Sequence, residues 1–162
     1  MCRTRGFFGI GIVAPKDEKN VGLLWRGAHC FGADYIFTVG YRYSRVVTDT
    51  TDAGKHTVLF DYANVEDLLK HLPRRAELVG IEIMEEALPL PAFAHPEQAV
   101  YVLGPEDGSL PEAIIEACAC VVQIPTQFCL NVAQAGTVVM YDRWAKAMTK
   151  NRAPGAGEEG GR

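Results

Sequence analysis

The sequence has no long apolar run, no C-x-x-C pair and no excess of positive charge, and each lack removes a class of protein. No apolar stretch approaches the ~20 residues that a membrane-spanning helix requires. The five cysteines, Cys2, Cys30, Cys118, Cys120 and Cys129, are odd in number and never form a C-x-x-C pair, which argues against a disulfide framework and against a zinc site. Buried free thiols in a reducing cytoplasm are the expectation. Cys118 and Cys120 are expected on one helix, pointing in different directions. The net charge of -4 and pI of about 5.6 argue mildly against a nucleic-acid partner. Arginines do cluster, Arg3 with Arg5, Arg42 with Arg45 and Arg74 with Arg75, and the plain reading of each cluster is a solvated face. The start imitates a secretory signal, with 6-GFFGIGIVA-14 after two arginines, but the run is short and no small-x-small cleavage site follows. A buried first strand accounts for it better.

What is present describes one α/β domain. At 162 residues the chain suits a single domain with a sizeable core, expected over 1–150. The tail 151-NRAPGAGEEGGR-162 is small and polar and is expected to be disordered. Strands are predicted at 7–13, 35–39, 57–62, 78–83, 100–103 and 121–124. Most are short continuous apolar runs, the pattern of a parallel sheet covered on both faces. Helices are predicted at 21–31 behind an Asn20 cap, at 65–72 before Pro73, at 110–119 behind a Ser109–Glu112 capping box, and at 130–148. The polar stretch 40–55 reads as a long loop and 85–96 as a proline-broken connection.

Four segments invite a chemical reading. The first, 9-GIGIVA-14, matches the G-x-G-x-x-A dinucleotide fingerprint with Asp34 at a suitable distance. Its glycines lie in a strand-forming run followed at once by Pro15, where the fingerprint needs a turn opening a helix, so a dehydrogenase site is disfavoured. The second is 20-NVGLLWRGAHCFG-32. Either Asn20 and Arg26 face one pocket, or Arg26 is a surface arginine; the spacing fits both. The third, 103-LGPEDGSL-110, is a tight loop at the carboxyl end of a strand, where open α/β sheets bind ligands. Its acids Glu106 and Asp107 are otherwise solvated turn residues. The fourth is 124-IPTQFCLNVAQAGTVVMYDR-143. A lone amide, Asn131, opens a helix that is apolar nearly all round to Met140 and carries Ala133, Ala135 and Gly136. Such a helix must be buried on every side.

Taken in order, Asn20-Val21-Gly22 through Arg26, then Gly104-Pro105-Glu106-Asp107-Gly108, then Ile124-Pro125 leading to Cys129-Leu130-Asn131-Val132, these segments resemble the three motifs of the SpoU (TrmH-like) branch of the SPOUT RNA methyltransferases. The likeness spans about residues 7 to 143. The resemblance implies a mostly parallel sheet with helices on both faces and a C-terminal deep trefoil knot. The knotted helices would also form a homodimer interface, burying the helix after Leu130. It implies an S-adenosylmethionine pocket built from Ile81, Glu82, Ile83, Leu103, Gly104, Ile124, Thr126, Cys129 and Leu130, with the adenine held largely by backbone groups. It further implies methyl transfer to a ribose 2'-hydroxyl of tRNA or rRNA without a metal. Arg26 would be the proton acceptor and Asn20 would orient it. Glu106 and Asn131 would hold the arginine or the ribose, from the same or the other subunit. An ordinary guanidinium does not deprotonate, so an arginine shifted or assisted by an RNA phosphate is assumed. Arg3, Arg5, Arg42 and Arg45 are the candidate phosphate contacts. Where the family carries serine this chain has Cys129, a weaker hydrogen-bonding group. A non-catalytic knotted RNA-binding module is the rival reading.

Overall fold

The computed structural model describes residues 6–43 and 57–152. The predicted tail beyond Arg152 and most of the predicted 40–55 loop lie outside the described residues, as do Arg3, Arg5 and Arg45. The elements run β1 (Phe7–Val13), α1 (Glu18–Phe31), β2 (Tyr35–Val39), β3 (Val58–Tyr62), α2 (Val65–Lys70), β4 (Glu77–Ile81), β5 (Leu88–Pro89), a 3-10 turn (Leu90–Ala92), β6 (Gln98–Leu103), α3 (Glu112–Ala117), β7 (Cys120–Gln123) and α4 (Val132–Arg152). The strands form one sheet in the order β3-β2-β1-β6-β4-β7-β5, and every neighbouring pair is parallel.

The two faces bury separate cores. On one, Phe8, Ile10 and Ile12 of β1 and Tyr101 and Leu103 of β6 pack beneath Leu24 and Ala28 of α1 and Val139 and Met140 of α4. On the other, Tyr35, Phe37 and Val39 of β2 and Val100 and Val102 of β6 pack with Leu68 of α2 and Ile114 of α3. Burial on both faces is why the central strands read as unbroken apolar runs.

Gly9 and Gly11 are part of this packing. Both lie within β1, and a Cβ on either would collide with the ring of its β2 partner, Tyr35 or Phe37. The fingerprint-like spacing therefore leaves room for two aromatic rings across a parallel pair.

Four local expectations are corrected. Helix α1 begins earlier than predicted. Asp17 is its cap, its carboxylate accepting from Lys19 N at 2.9 Å, and Asn20 is a buried residue inside the first turn. Helix α3 has no side-chain cap; Pro111 precedes it, and the Leu110 N–H is taken instead by the Glu82 carboxylate at 2.8 Å. The predicted Ser109–Glu112 capping box is not formed. Cys118 and Cys120 do not share a helix: Cys118 closes α3 and Cys120 lies in β7. Nor are the thiols uniformly buried, since Cys30 and Cys129 are exposed and Cys118 and Cys120 half-buried.

The proline-broken connection proves to be anchored. Leu88 and Pro89 pair with β7. From α4, Lys146 donates to the carbonyls of Leu90 (2.6 Å) and Phe93 (2.9 Å), and Arg143 donates to those of Pro96 (2.6 Å) and Glu97 (3.0 Å). The C-terminal helix is thus tied back across the segment between β5 and β6.

Candidate active site

Strands β4, β6 and β7 are neighbours, and their carboxyl ends open into one cleft of about 140 Å3. Strand β4 stops at Ile81, two residues before the predicted end. Glu82 N still donates to Val122 O at 3.1 Å, and the Glu82 carboxylate then takes Ile83 N at 2.9 Å, turning the chain out of the sheet. Ile81, Glu82 and Ile83 thereby form one wall. Leu103 and Gly104 at the end of β6, with Pro105 and Gly108, form the second. Ile124, Thr126, Cys129 and Leu130 after β7, with Val132 and Ala135 of α4, form the third. All nine residues assigned above to a cofactor pocket line this single cleft. Gly104 needs its small size: a Cβ there would stand 3.2 Å from Leu110 N and 3.3 Å from the Glu82 carboxylate.

Beside the cleft, three of the four residues assigned to catalysis form a hydrogen-bonded chain. Asn131 donates through Nδ2 to Asn20 Oδ1 at 3.0 Å, and Asn20 donates through Nδ2 to Glu106 Oε1 at 2.7 Å. Glu106 also accepts from Lys16 N (2.9 Å) and Asp17 N (3.3 Å), while Lys16 pairs with Asp107. Partial burial works against the Glu106 carboxylate. The Asn20 amide and the backbone N–H groups outweigh it and hold the group below the ordinary carboxylate range. Asn131 also caps α4, since its Oδ1 accepts from Ala133 N at 2.9 Å and Gln134 N at 3.4 Å. An amide opens that apolar helix because one end caps it and the other ties it to α1 and the 104–110 loop.

Arg26 stands apart. Asn20, Val21, Leu24, Trp25 and Ala28 are the buried residues of α1, whereas Arg26 is exposed and shares the solvent stripe of Lys19, Leu23 and Cys30. Asn20 bonds Glu106 and Asn131; within one chain it does not orient Arg26. Arg42 is exposed just beyond β2, at the same carboxyl end of the parallel sheet as the cleft. Sequence reading missed Lys16, Asp17, Pro105, Gly108, Val132 and Ala135 around the site. Pro105, Gly108, Val132 and Ala135 lie inside segments it had singled out, whereas Lys16 and Asp17 lie in a loop it read only as polar.

The outer sides of α1 and α4 form an apolar surface. Leu23, Val138, Tyr141 and Trp144 are exposed there, and Tyr141 contacts both Phe31 (6.2 Å between ring centres) and Trp144 (6.1 Å). Within one chain α4 is therefore not buried on every side as its apolar sequence predicted: one side is covered by the domain and the other is open.

Residues 8–141 match the model of the SpoU rRNA Methylase family. No curated protein matches the chain in sequence. Among solved structures, the chain resembles one concerned with the 2-OH methylation of C/U34 on tRNA, at 22% identity and a TM-score of 0.76 over 91% of this chain and 94% of that one. It resembles the A. aeolicus TrmH/SpoU tRNA modifying enzyme at 18% identity, TM-score 0.78, over 92% and 78%. It also resembles the SpoU methyltransferase AviRb from Streptomyces viridochromogenes in complex with AdoMet, at 20% identity, TM-score 0.76, over 91% and 63%. The chain therefore spans less than two thirds of AviRb and nearly all of the C/U34 structure.

Proposed function

The chain belongs to the SpoU rRNA methylase family, and from that premise we propose that it transfers a methyl group from S-adenosylmethionine to a ribose 2'-hydroxyl of tRNA or rRNA. The observation that carries this reading is the convergence of three loops on one cleft, held in register by the Asn131–Asn20–Glu106 chain. The cleft fits the cofactor. Its walls are mostly apolar, formed by Ile81, Leu103, Ile124, Leu130 and Val132, and its lining carries one acidic side chain, Glu82, fixed by two backbone N–H groups. Bound there, the cofactor supplies a methyl group made electrophilic by its sulfonium.

The chain's own residues orient and exclude water. The apolar walls keep solvent from the transfer, and Gly104 lets a ligand approach the backbone after β6. Glu106 stays anionic and binds the α1 N-terminus to the 104–110 loop, so it acts by positioning. Arg26 is the candidate to receive or neutralise the hydroxyl proton. It lies on the open side of α1, next to the apolar surface of Leu23, Val138, Tyr141 and Trp144, and this placement supports a homodimer in which Arg26 serves the facing subunit's cleft. The tied-back α4 supports a C-terminal trefoil knot. Arg42, with Arg3, Arg5 and Arg45, would contact RNA phosphates. The separation of Arg26 from the Asn131–Asn20–Glu106 chain favours, in its turn, the binding-module reading, and one experiment separates the two.

Purified protein is incubated with isotope-labelled S-adenosylmethionine and total RNA lacking the host's own modification, and nucleosides are read by mass spectrometry. A labelled 2'-O-methyl nucleoside that vanishes in Arg26→Ala, while cofactor affinity is retained, is the expected result. Cofactor binding with no labelled nucleoside from any RNA would favour the binding module.

A further inference from the structure

Phe128 is the most exposed large apolar side chain among the described residues, at 83%. It lies in the third wall of the cleft, between the lining residues Thr126 and Cys129, yet its own side chain does not line the cleft. Its backbone is held: the Thr126 hydroxyl donates to Phe128 O at 2.8 Å. None of the residues lining the cleft is aromatic. A phenyl ring this exposed adds almost nothing to burial in the fold, and its face is open to a ligand.

We propose that Phe128 is the platform on which the base of the target nucleotide stacks, a base-positioning contact for the methyl transfer inferred above. The inference rests on that reading. A ribose whose 2'-hydroxyl enters the cleft keeps its base within one sugar's width, which places the base at the rim. Presenting a single 2'-hydroxyl also requires a nucleotide free of its neighbours, and unstacked bases are received by aromatic faces. Stacking is indifferent to base identity because every base has a π-face. The segment 124–131 carries no cationic side chain, and Phe128 is its single aromatic ring.

The test uses the full chain, labelled S-adenosylmethionine and the same unmodified total RNA, with Phe128→Ala, Phe128→Leu and Phe128→Trp. Ala and Leu are expected to raise the KM for RNA by about tenfold or more, the range of a lost base–aromatic stack. The Trp variant should restore it, and cofactor affinity and oligomeric state should not change. Equal KM in wild type and Ala overturns the proposal. So does rescue by Leu, or a change in oligomeric state or cofactor affinity, which would make the ring a subunit or cofactor contact. If wild type itself methylates no RNA, the functional reading fails separately. The Kd of the Ala variant for the same RNA then decides the stacking: a weaker Kd supports it and an unchanged Kd overturns it.

Discussion

Glu106 bridges α1 and the 104–110 loop beside the cleft, and its pH behaviour follows from its contacts. Burial opposes its charge, but the Asn20 amide and the N–H groups of Lys16 and Asp17 favour it more, so its pKa lies below the ordinary 4.5. The native state therefore holds the proton less tightly than the unfolded chain. The stabilisation is present above about pH 4.5 and is lost as pH falls through the lower native value. Glu106→Gln turns an amide NH2 toward one of the two backbone donors, Lys16 N or Asp17 N, whichever way it is oriented. It should lower the thermal midpoint at neutral pH, and the gap to wild type should close on acidification; a constant gap would deny the carboxylate its role. Asn131→Ala removes the cap of α4 and the bond to Asn20. It is expected to cost about 1–2 kcal/mol, a drop of several degrees in a thermal melt. The identities of these residues were legible in the sequence, but their partners were not. Asn20 meets Glu106 across 86 positions and Asn131 across 111, and no local pattern encodes such a contact.

At the scale of elements, the readable features were those that burial imposes locally. The apolar runs of β1, β2 and β6 announced a covered parallel sheet. What escaped was set by neighbours in space. Leu88–Pro89 is a strand only because β7 lies beside it, and the Leu110 N–H ahead of α3 finds its acceptor in Glu82 of another loop. The glycines of β1 show how a motif can mislead. Gly9→Ala should cost about 1–3 kcal/mol by driving a methyl group into the Tyr35 ring, without changing cofactor affinity. A nicotinamide-binding defect instead would revive the fingerprint reading. The connection before β6 is pinned to α4 through His95, whose ring bonds the Tyr101 hydroxyl at 2.6 Å and Asp142 at 2.8 Å. Burial lowers the His95 pKa below the ordinary 6.5; Asp142 pulls the other way without cancelling it, and the nearby Arg143 and Lys146 charges add to the lowering. Here too the unfolded chain binds the proton more readily, so stability from this site falls as pH drops below about 6.5. Melts of His95→Gln should lack that part of the acid slope, and an unchanged slope would place the titration elsewhere.

For the whole molecule, the question is whether one chain makes one site. Leu23 is 56% exposed, Tyr141 54% and Trp144 40%, all on the outer sides of two helices that already pack on each other. Exposed apolar side chains grouped on these two helices suit the interface of the proposed homodimer. Tyr141→Glu combined with Trp144→Glu should convert a dimer to a monomer in sedimentation, and turnover should fall with it. Loss of the dimer alone would not prove that the site is shared, since an unpaired chain could also be less stable. Mixing two defective subunits resolves this. Arg26→Ala impairs the outer face of α1, and Asn131→Ala impairs the ties beside the cleft. If Arg26 acts across the interface, a mixed dimer holds one intact site, formed by the Arg26 of one subunit and the cleft of the other, together with one doubly defective site. Equal mixing then restores about a quarter of wild-type turnover, because half of the dimers are mixed and each has one working site of two. If Arg26 serves its own chain, every site in the mixture carries a defect and turnover stays at the level of the two variants. Co-expression with two affinity tags isolates the mixed dimer. Its recovery of activity separates an arginine on the wrong side of its own helix from one on the right side of its partner's cleft.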